Sequence, residues 1–216
     1  MSHLKRQSSP KSWPIERKGT TYTVKSNFNF REGVPVLIIL RDMLKLAQNR
    51  SEVKRILHSK QILVNEKKVK DEKNNVLFLD TLSILPLKKY YRLELSENGK
   101  FYLNEIKESE TTKKIAKLIN KKILKGKKVQ LNLSDGRNFL SDIKCDINDS
   151  LEINLKEGKI EKCLHLKEKA KIVVFAGKHI GKGGEVVSLN LEEKTAKVKI
   201  NEKEINILIN QLMVVE

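Results

Sequence analysis

The stretch 36–69 constrains the rest of the chain most. Val36, Ile39, Leu40, Met43, Leu44 and Ala47 recur at helical spacing, which makes one apolar face that must be laid against something. Arg41, Lys45 and Gln48 project elsewhere. Ser51 is placed to cap a second helix through its hydroxyl. That helix turns Val53, Ile56 and Leu57 inward and Lys54, Arg55 and His58 outward. Gln61-Ile62-Leu63-Val64, the polar run Asn65-Glu66-Lys67-Lys68 and Val69 then suit two strands around a tight turn. Two short helices and a hairpin are expected, with cations on one side that Lys60 and Lys68 extend. Such donors are the usual partners of a phosphate backbone. A small helical core with an ordinary solvated surface would carry the same pattern.

Charge narrows the partner. The 216-residue chain has 44 Lys and Arg against 27 Asp and Glu, a formal net charge of +17. A charge this large calls for a polyanion, with nucleic acid first and an anionic membrane second. No apolar run approaches the roughly 18–20 residues of a spanning helix. The basic residues are spread along the chain instead of gathering on one amphipathic helix, so no membrane partner is expected. Aromatic residues are 5% of the chain, which disfavours stacking of single-stranded bases as the main binding mode.

Cys145 and Cys163 have no paired-cysteine spacing, and His3, His58, His165 and His179 form no metal motif. Neither a zinc framework nor a disulfide scaffold is expected. Buried reduced thiols in a cytosolic protein fit better. The polar, basic start carries no signal-peptide pattern.

The run Arg50-Ser51-Glu52-Val53-Lys54-Arg55-Ile56-Leu57, followed by Ile62-Leu63-Val64-Asn65-Glu66-Lys67-Lys68-Val69, resembles the small RNA-binding module named after small-subunit ribosomal protein four. In that family the second helix and hairpin grip structured RNA. The resemblance implies RNA contact by Arg50, Ser51, Lys54, Arg55 and Lys67. Glu66 stands where the family turn usually has glycine, a residue tolerant of positive φ; Asn65 is the candidate to take that conformation.

Segment 1–32 reads as a basic arm. Lys5, Arg6, Lys11, Arg17, Lys18, Lys25 and Arg31 face Glu16 alone up to residue 31. Pro10 and Pro14 oppose a continuous helix, and apolar content is too low for a core of its own. The arm either orders along RNA or stays a disordered tail. Trp13 is costly to leave in water and would stack or anchor. His3-Leu4-Lys5-Arg6, then Pro10 and Trp13, resembles the N-terminal signature of the archaeal and eukaryotic e-type of small-subunit ribosomal protein four. Residues 26–31 depart from that family's proline-rich pattern.

Beyond the module (33–94), alternation dominates. Val76-Leu77-Phe78-Leu79 and Leu82-Ser83-Ile84-Leu85 read as short strands ended by Pro86. Tyr90-Tyr91-Arg92-Leu93-Glu94-Leu95 and Phe101-Tyr102-Leu103 flank Glu97-Asn98-Gly99, a strong hairpin signal. A boundary near here opens a central antiparallel β domain (95–168). Residues 111–124 suit a helix or strands, with a short helical turn and then a strand favoured. Val129-Gln130-Leu131-Asn132-Leu133 alternates before the turn Ser134-Asp135-Gly136-Arg137-Asn138; this run is similar to the e-type family's central pattern. Ser150-Leu151-Glu152-Ile153-Asn154-Leu155 alternates again and resumes at Ile160, half-buried and polar outward.

The last segment (169–216) pairs strand-like runs around Gly177-Lys178-His179-Ile180-Gly181-Lys182-Gly183-Gly184. This is no nucleotide-binding P-loop, which needs four residues between its first glycine and Gly-Lys and then Ser or Thr. A dinucleotide fingerprint fails too, because strands flank the loop. The loop resembles the KOW motif, whose proteins form a small SH3-like barrel. Its glycines would let backbone approach phosphate while Lys178, His179 and Lys182 supply charge; a tight β-turn with incidental lysines is the plainer reading.

The order of arm, module, central β segment and barrel resembles the e-type small-subunit family over essentially the whole chain. The fold expected is α+β. The resemblance implies a non-catalytic structural constituent of the small ribosomal subunit in the cytoplasm. Its partners would be small-subunit ribosomal RNA and neighbouring ribosomal proteins, with no cofactor, no metal and no small-molecule substrate. Contacts would fall on Lys5, Arg6, Lys11, Trp13, Arg17, Lys18, Arg41, Lys45, Lys60, Lys68, His58 and the residues already named. An RNA-modifying enzyme or assembly factor with an appended module is the alternative, but the remaining segments read as short β runs with no glycine fingerprint after a strand and before a helix. A transcription elongation factor would explain the barrel alone.

Overall fold

A computed structural model describes residues 3–126, 128–141, 143–201 and 203–215. The fold is α+β and mostly antiparallel β, in two compact units, Met1–Thr112 and Lys113–Glu216.

In the first unit β1 (Leu4–Lys5) pairs with β2 (Tyr22–Thr23). The arm is therefore folded, although its own apolar content is low. It borrows a core: Leu4 and Trp13 are buried, and the Trp13 indole donates to Gly33 O at 2.7 Å. β3 (Gly33–Pro35) leads into α1 (Val36–Ile38), which widens into a π-turn over Ile39–Met43. Leu44 N–H reaches back to Ile39 O, and Lys45 at φ 53° ends the turn. The expected first helix thus stops short of Ala47. Leu37 and Ile38 are as buried as Val36, Ile39 and Leu40, so the element is enclosed on all sides and needs no single apolar face.

α2 (Arg50–His58) buries Val53 and Leu57. β4 (Ile62–Val64) and β5 (Lys67–Lys68) form the hairpin. Both central residues of its turn are left-handed, Asn65 at φ 50° and Glu66 at φ 63°, as a type I′ turn requires. Two side-chain bonds hold this conformation without glycine. Asn65 Oδ1 accepts from Thr81 N–H at 3.2 Å, and Glu66 Oε1 accepts from the Thr111 hydroxyl at 3.2 Å.

β6 (Asn75–Leu77) pairs with β3. β7 (Thr81–Ile84), β8 (Lys89–Leu95) and β9 (Phe101–Glu105) extend the hairpin sheet to the order β5-β4-β7-β8-β9. The boundary expected at 94–95 falls inside β8, because the Asn98-Gly99 hairpin keeps β9 in this sheet.

The second unit opens with the long β10 (Lys113–Ile123). The helical turn favoured here is instead a 3₁₀ turn at Glu108–Glu110, and the Ile/Lys alternation that follows is all strand. β11 (Val129–Leu133), β12 (Asn138–Leu140), β13 (Ser150–Asn154) and β14 (Lys159–Leu164) give the order β12-β11-β10-β13-β14. Leu118, Leu131, Leu151 and Ile153 are its fully buried centre. β15 (Lys171–Val174), β16 (Gly183–Asn190), β17 (Thr195–Ile200), β18 (Lys203–Leu208) and β19 (Leu212–Val214) give the order β18-β17-β16-β15-β19. Their separate core holds Ile172, Val174, Val198 and Leu212. β19, absent from the sequence reading, returns to pair with β15.

The cysteines depart from the expectation of free thiols. Cys145 lies in the β12–β13 connection and Cys163 on β14, and their sulfurs are joined. Residues 18 apart meet because β13 and β14 form a hairpin beneath that connection.

Candidate nucleic-acid interface

The cationic side of α2 is set by its cap. Asn49 accepts the Glu52 N–H at 3.0 Å, and Glu52 accepts the Gln48 N–H at 2.7 Å, so one orphan donor of the first turn and the amide just before the cap are both occupied. The helix therefore starts at Arg50. Ser51, expected as the cap, lies inside the first turn because Asn49 holds that place. Arg50, Lys54 and His58 recur at i, i+4, so they share one stripe, with Ser51 and Arg55 beside it. All five side chains are exposed.

This stripe is only partly neutralised. Arg50 Nε donates to Glu72 Oε1 at 3.0 Å, and Lys54 Nζ lies 4.0 Å from the same oxygen. Glu72 is buried, while the two cationic side chains are 53% and 52% exposed. One carboxylate between two cations leaves a net positive charge. Lys60 follows the helix end, and Lys67 and Lys68 on β5 are exposed.

The arm meets this stripe across a groove of about 730 Å³, lined among others by His3, Tyr22, Lys25, Arg50 and Lys73. Asn27 N–H donates to Lys73 O at 3.0 Å, which brings the arm and the β5–β6 connection together. Burial pushes the nearby Asp71 carboxyl up, but the Lys73 backbone N–H and the Asn27 amide outweigh it and hold the group below the usual range. Lys73 and Tyr22 were not among the sequence candidates. Lys73 belongs to this groove only through a contact between segments 46 residues apart, for which sequence carries no local signal.

Several candidates have other work. Arg6 spends its guanidinium inside the arm, on Thr20 O at 2.8 Å, the Thr20 hydroxyl at 2.8 Å and Glu16 O at 2.9 Å. Arg41 is paired with its neighbour Asp42 at 2.8 Å. Trp13, at 2% exposure, is an anchor of the arm and has no face left for a base; its expected place among RNA contacts is corrected accordingly. Arg17 donates to Ser9 O at 3.3 Å. Lys5, Lys11, Lys18 and Lys45 are exposed.

In the second unit the glycine-rich loop joins β15 to β16. Gly177 and Gly181 adopt φ 88° and 83°, and a side chain at Gly177 would run into Gln211. Gly184 passes against the backbone oxygen of Lys199 on β17, leaving no room for a Cβ. The loop is drawn tight by Gly181 N–H on Val174 O at 2.7 Å. Lys178 is exposed, and His179 and Lys182 are half-buried.

Fold and site together define a β-rich protein with a polycationic face. Comparison with known proteins gives that class a family. The model of the ribosomal family S4e matches residues 87–160, and the RS4NT (NUC023) domain matches residues 2–27. The small ribosomal subunit protein eS4 of Methanocella arvoryzae is 35% identical over 198 residues, covering 90% of this chain and 84% of that protein. Its counterpart in Haloarcula marismortui is 34% identical over 200 residues, covering 91% and 86%. The crystal structure of the 30S ribosomal protein S4e from Thermoplasma acidophilum superposes with a TM-score of 0.73 at 26% identity, over 85% of this chain and 95% of that one. The chain belongs to the S4e family of ribosomal proteins.

Proposed function

We propose that this protein is a structural constituent of the small ribosomal subunit and binds its ribosomal RNA by phosphate contact, beside neighbouring ribosomal proteins. The observation that carries the reading is the groove where Lys25, Arg50 and Lys73 converge next to the exposed stripe of α2, in a member of the S4e family. The segment 33–94 acts as the RNA-binding module, with Arg50, Ser51, Lys54, Arg55, His58, Lys60, Lys67 and Lys68 as its contacts. The arm 1–32 adds Lys5, Lys11, Arg17 and Lys18, and the π-turn adds Lys45. Arg6 and Arg41 shape the arm and the module more than they touch RNA.

The sheet of β10 to β14 serves as the scaffold. The segment 169–216 acts as a KOW-type SH3-like barrel whose loop offers Lys178, His179 and Lys182. Recognition of folded RNA by such groups follows shape and phosphate position more than base edges, and it weakens steeply with salt as counterions are released. No catalysis is part of this reading.

The test is sedimentation of cell extract on a gradient, followed by a high-salt wash of the ribosomal particles. An integral constituent tracks the small subunit and stays through the wash. Recovery only in light fractions or in the wash would make it an assembly factor or an unrelated RNA binder.

A further inference from the structure

Outside the cationic face, three metal-ligating side chains, Asp149, Cys163 and His165, meet at one place in the second unit, with Cys145 against the sulfur of Cys163. We infer that the reduced chain binds one thiophilic divalent cation, of which zinc is the type, through Cys145, Cys163, His165 and Asp149. Cys163 Sγ lies 3.6 Å from Asp149 Oδ2 and 3.8 Å from His165 Nδ1, and His165 Nδ1 lies 2.8 Å from Asp149 Oδ2. Donors around one tetrahedral zinc, at about 2.0–2.3 Å from the metal, stand roughly 3.3–3.8 Å from one another. Two edges of such a polyhedron are therefore in place, and the third, the His165–Asp149 hydrogen bond at 2.8 Å, has only to lengthen as the ion enters. Cys145, buried at 2%, brings its sulfur directly against that of Cys163. Released from Cys163 by reduction, that sulfur can turn in as the fourth donor.

Chemistry favours a cation over an empty dithiol here. A dication takes cysteine sulfurs as thiolates, displacing their protons as it binds, and an imidazole and a carboxylate beside them complete a donor set of the kind zinc takes. The pairing of two sulfurs alone needs neither a carboxylate nor an imidazole, yet both converge on Cys163.

The support around the donors is fixed as well. Asp149 Oδ1 accepts the Leu166 N–H at 2.9 Å, and Oδ2 accepts the Asp146 N–H at 2.8 Å. This holds the carboxylate in position as the outer contacts of metal ligands do. Cys163 and His165 come from the end of β14, Cys145 and Asp149 from the connection entering β13. One ion would clamp a hairpin to the connection that crosses it. Sequence hid the site because the ligands are spaced as Cys-x₃-Asp-x₁₃-Cys-x-His, with no close cysteine pair.

Cobalt(II) titration of the full-length, fully reduced and chelator-treated chain tests this. The expected result is one equivalent bound, with a near-ultraviolet sulfur-to-cobalt charge-transfer band and visible tetrahedral bands that zinc abolishes. Cys163→Ser should lose at least half of the charge-transfer intensity, and His165→Ala, which removes a ligand, should weaken binding by more than the about 10- to 100-fold that loss of an outer contact costs. In the unmutated chain, zinc should also protect both thiols from alkylation, a readout that does not depend on a variant folding. Absence of a charge-transfer band in the reduced chain, alkylation unchanged by zinc, or cysteines that stay joined under reductant would each overturn the inference.

Discussion

Lys117 on β10 donates its ammonium to the backbone carbonyl of Leu212 on β19 at 2.8 Å, in a buried setting with no carboxylate partner among the described residues. Its second bond goes to Ile209 O, and the Phe175 ring lies 5.8 Å away. Burial lowers the pKa of this lysine to about 8, so the charge is held at neutral pH by carbonyl dipoles. The unfolded chain holds its proton up to the ordinary lysine value, so between about pH 8 and 10.5 it binds more protons than the folded one. Stability attributable to Lys117 therefore rises with pH across that window, by at most about 1.4 kcal/mol per pH unit. Denaturant midpoints of the parent and Lys117→Met measured from pH 7 to 10 should show the variant lacking this component. At pH 7 the variant leaves two carbonyls without their donor but is spared the buried charge, so its deficit against the parent should be smallest there and grow as the pH rises from 8 to 10.

Trp13 is the only tryptophan of the chain and reports on the arm directly. Its emission should be that of a buried indole, should shift red on unfolding, and should not be quenched when RNA binds. Trp13→Phe removes the bond to Gly33 O and should cost about 1–3 kcal/mol. Quenching by RNA in the folded chain would mean that the indole leaves its site.

Asn49 takes the capping role that the sequence suggested for Ser51. Asn49→Ala should destabilise by about 1 kcal/mol, whereas the exposed Ser51→Ala should stay within about 0.5 kcal/mol. Chemical denaturation of the two variants separates them. Equal effects would place the helix start elsewhere.

Replacing Lys54 and Arg55 together with Ala should weaken binding to small-subunit RNA and reduce the log–log salt slope by about one for each phosphate that the variant no longer neutralises. Arg41→Ala, which removes a cation already paired with Asp42, should change the slope little. Filter binding at several salt concentrations distinguishes the two, with circular dichroism to verify folding. Unchanged affinity in the double variant would count against α2 as the grip.

What was legible in the sequence was what depends on neighbours along the chain. Val129–Leu133 alternates and is a strand, and Asn98-Gly99 makes the hairpin that its chemistry demands. The β4–β5 hairpin was legible without its turn type, since the side-chain bond that holds Glu66 left-handed comes from Thr111, 45 residues away. β19 was missed because Leu212, Met213 and Val214 are all buried, so no alternation marks them. The helical spacing of residues 36–47 misled in extent, because Lys45 turns left-handed and the last matching residue, Ala47, lies beyond the helix. Of the candidate site, the α2 stripe was readable from composition and period. The groove with Lys73 and the Cys145–His165 cluster were not, because both are made by strands returning on one another.

The strand β10 changes partners along its length, pairing with β13 through Lys113–Lys117 and with β11 from Leu118 to Ile123. Past the bulge at Leu118 its β13 side is therefore left without a strand among the described residues, and Ile119 and Ile123 are exposed there at 55% and 76%. An open flank of this kind is a template for a strand of another molecule. Lys122 and, partly offset by Asp146 at 3.5 Å, Lys121 sit between the two isoleucines, so a copy approaching in register would bring like charges together. The lysines that make the chain attractive to a polyanion thus also act as its guard against self-assembly before it finds one, and high salt, which releases RNA, would lower that guard as well.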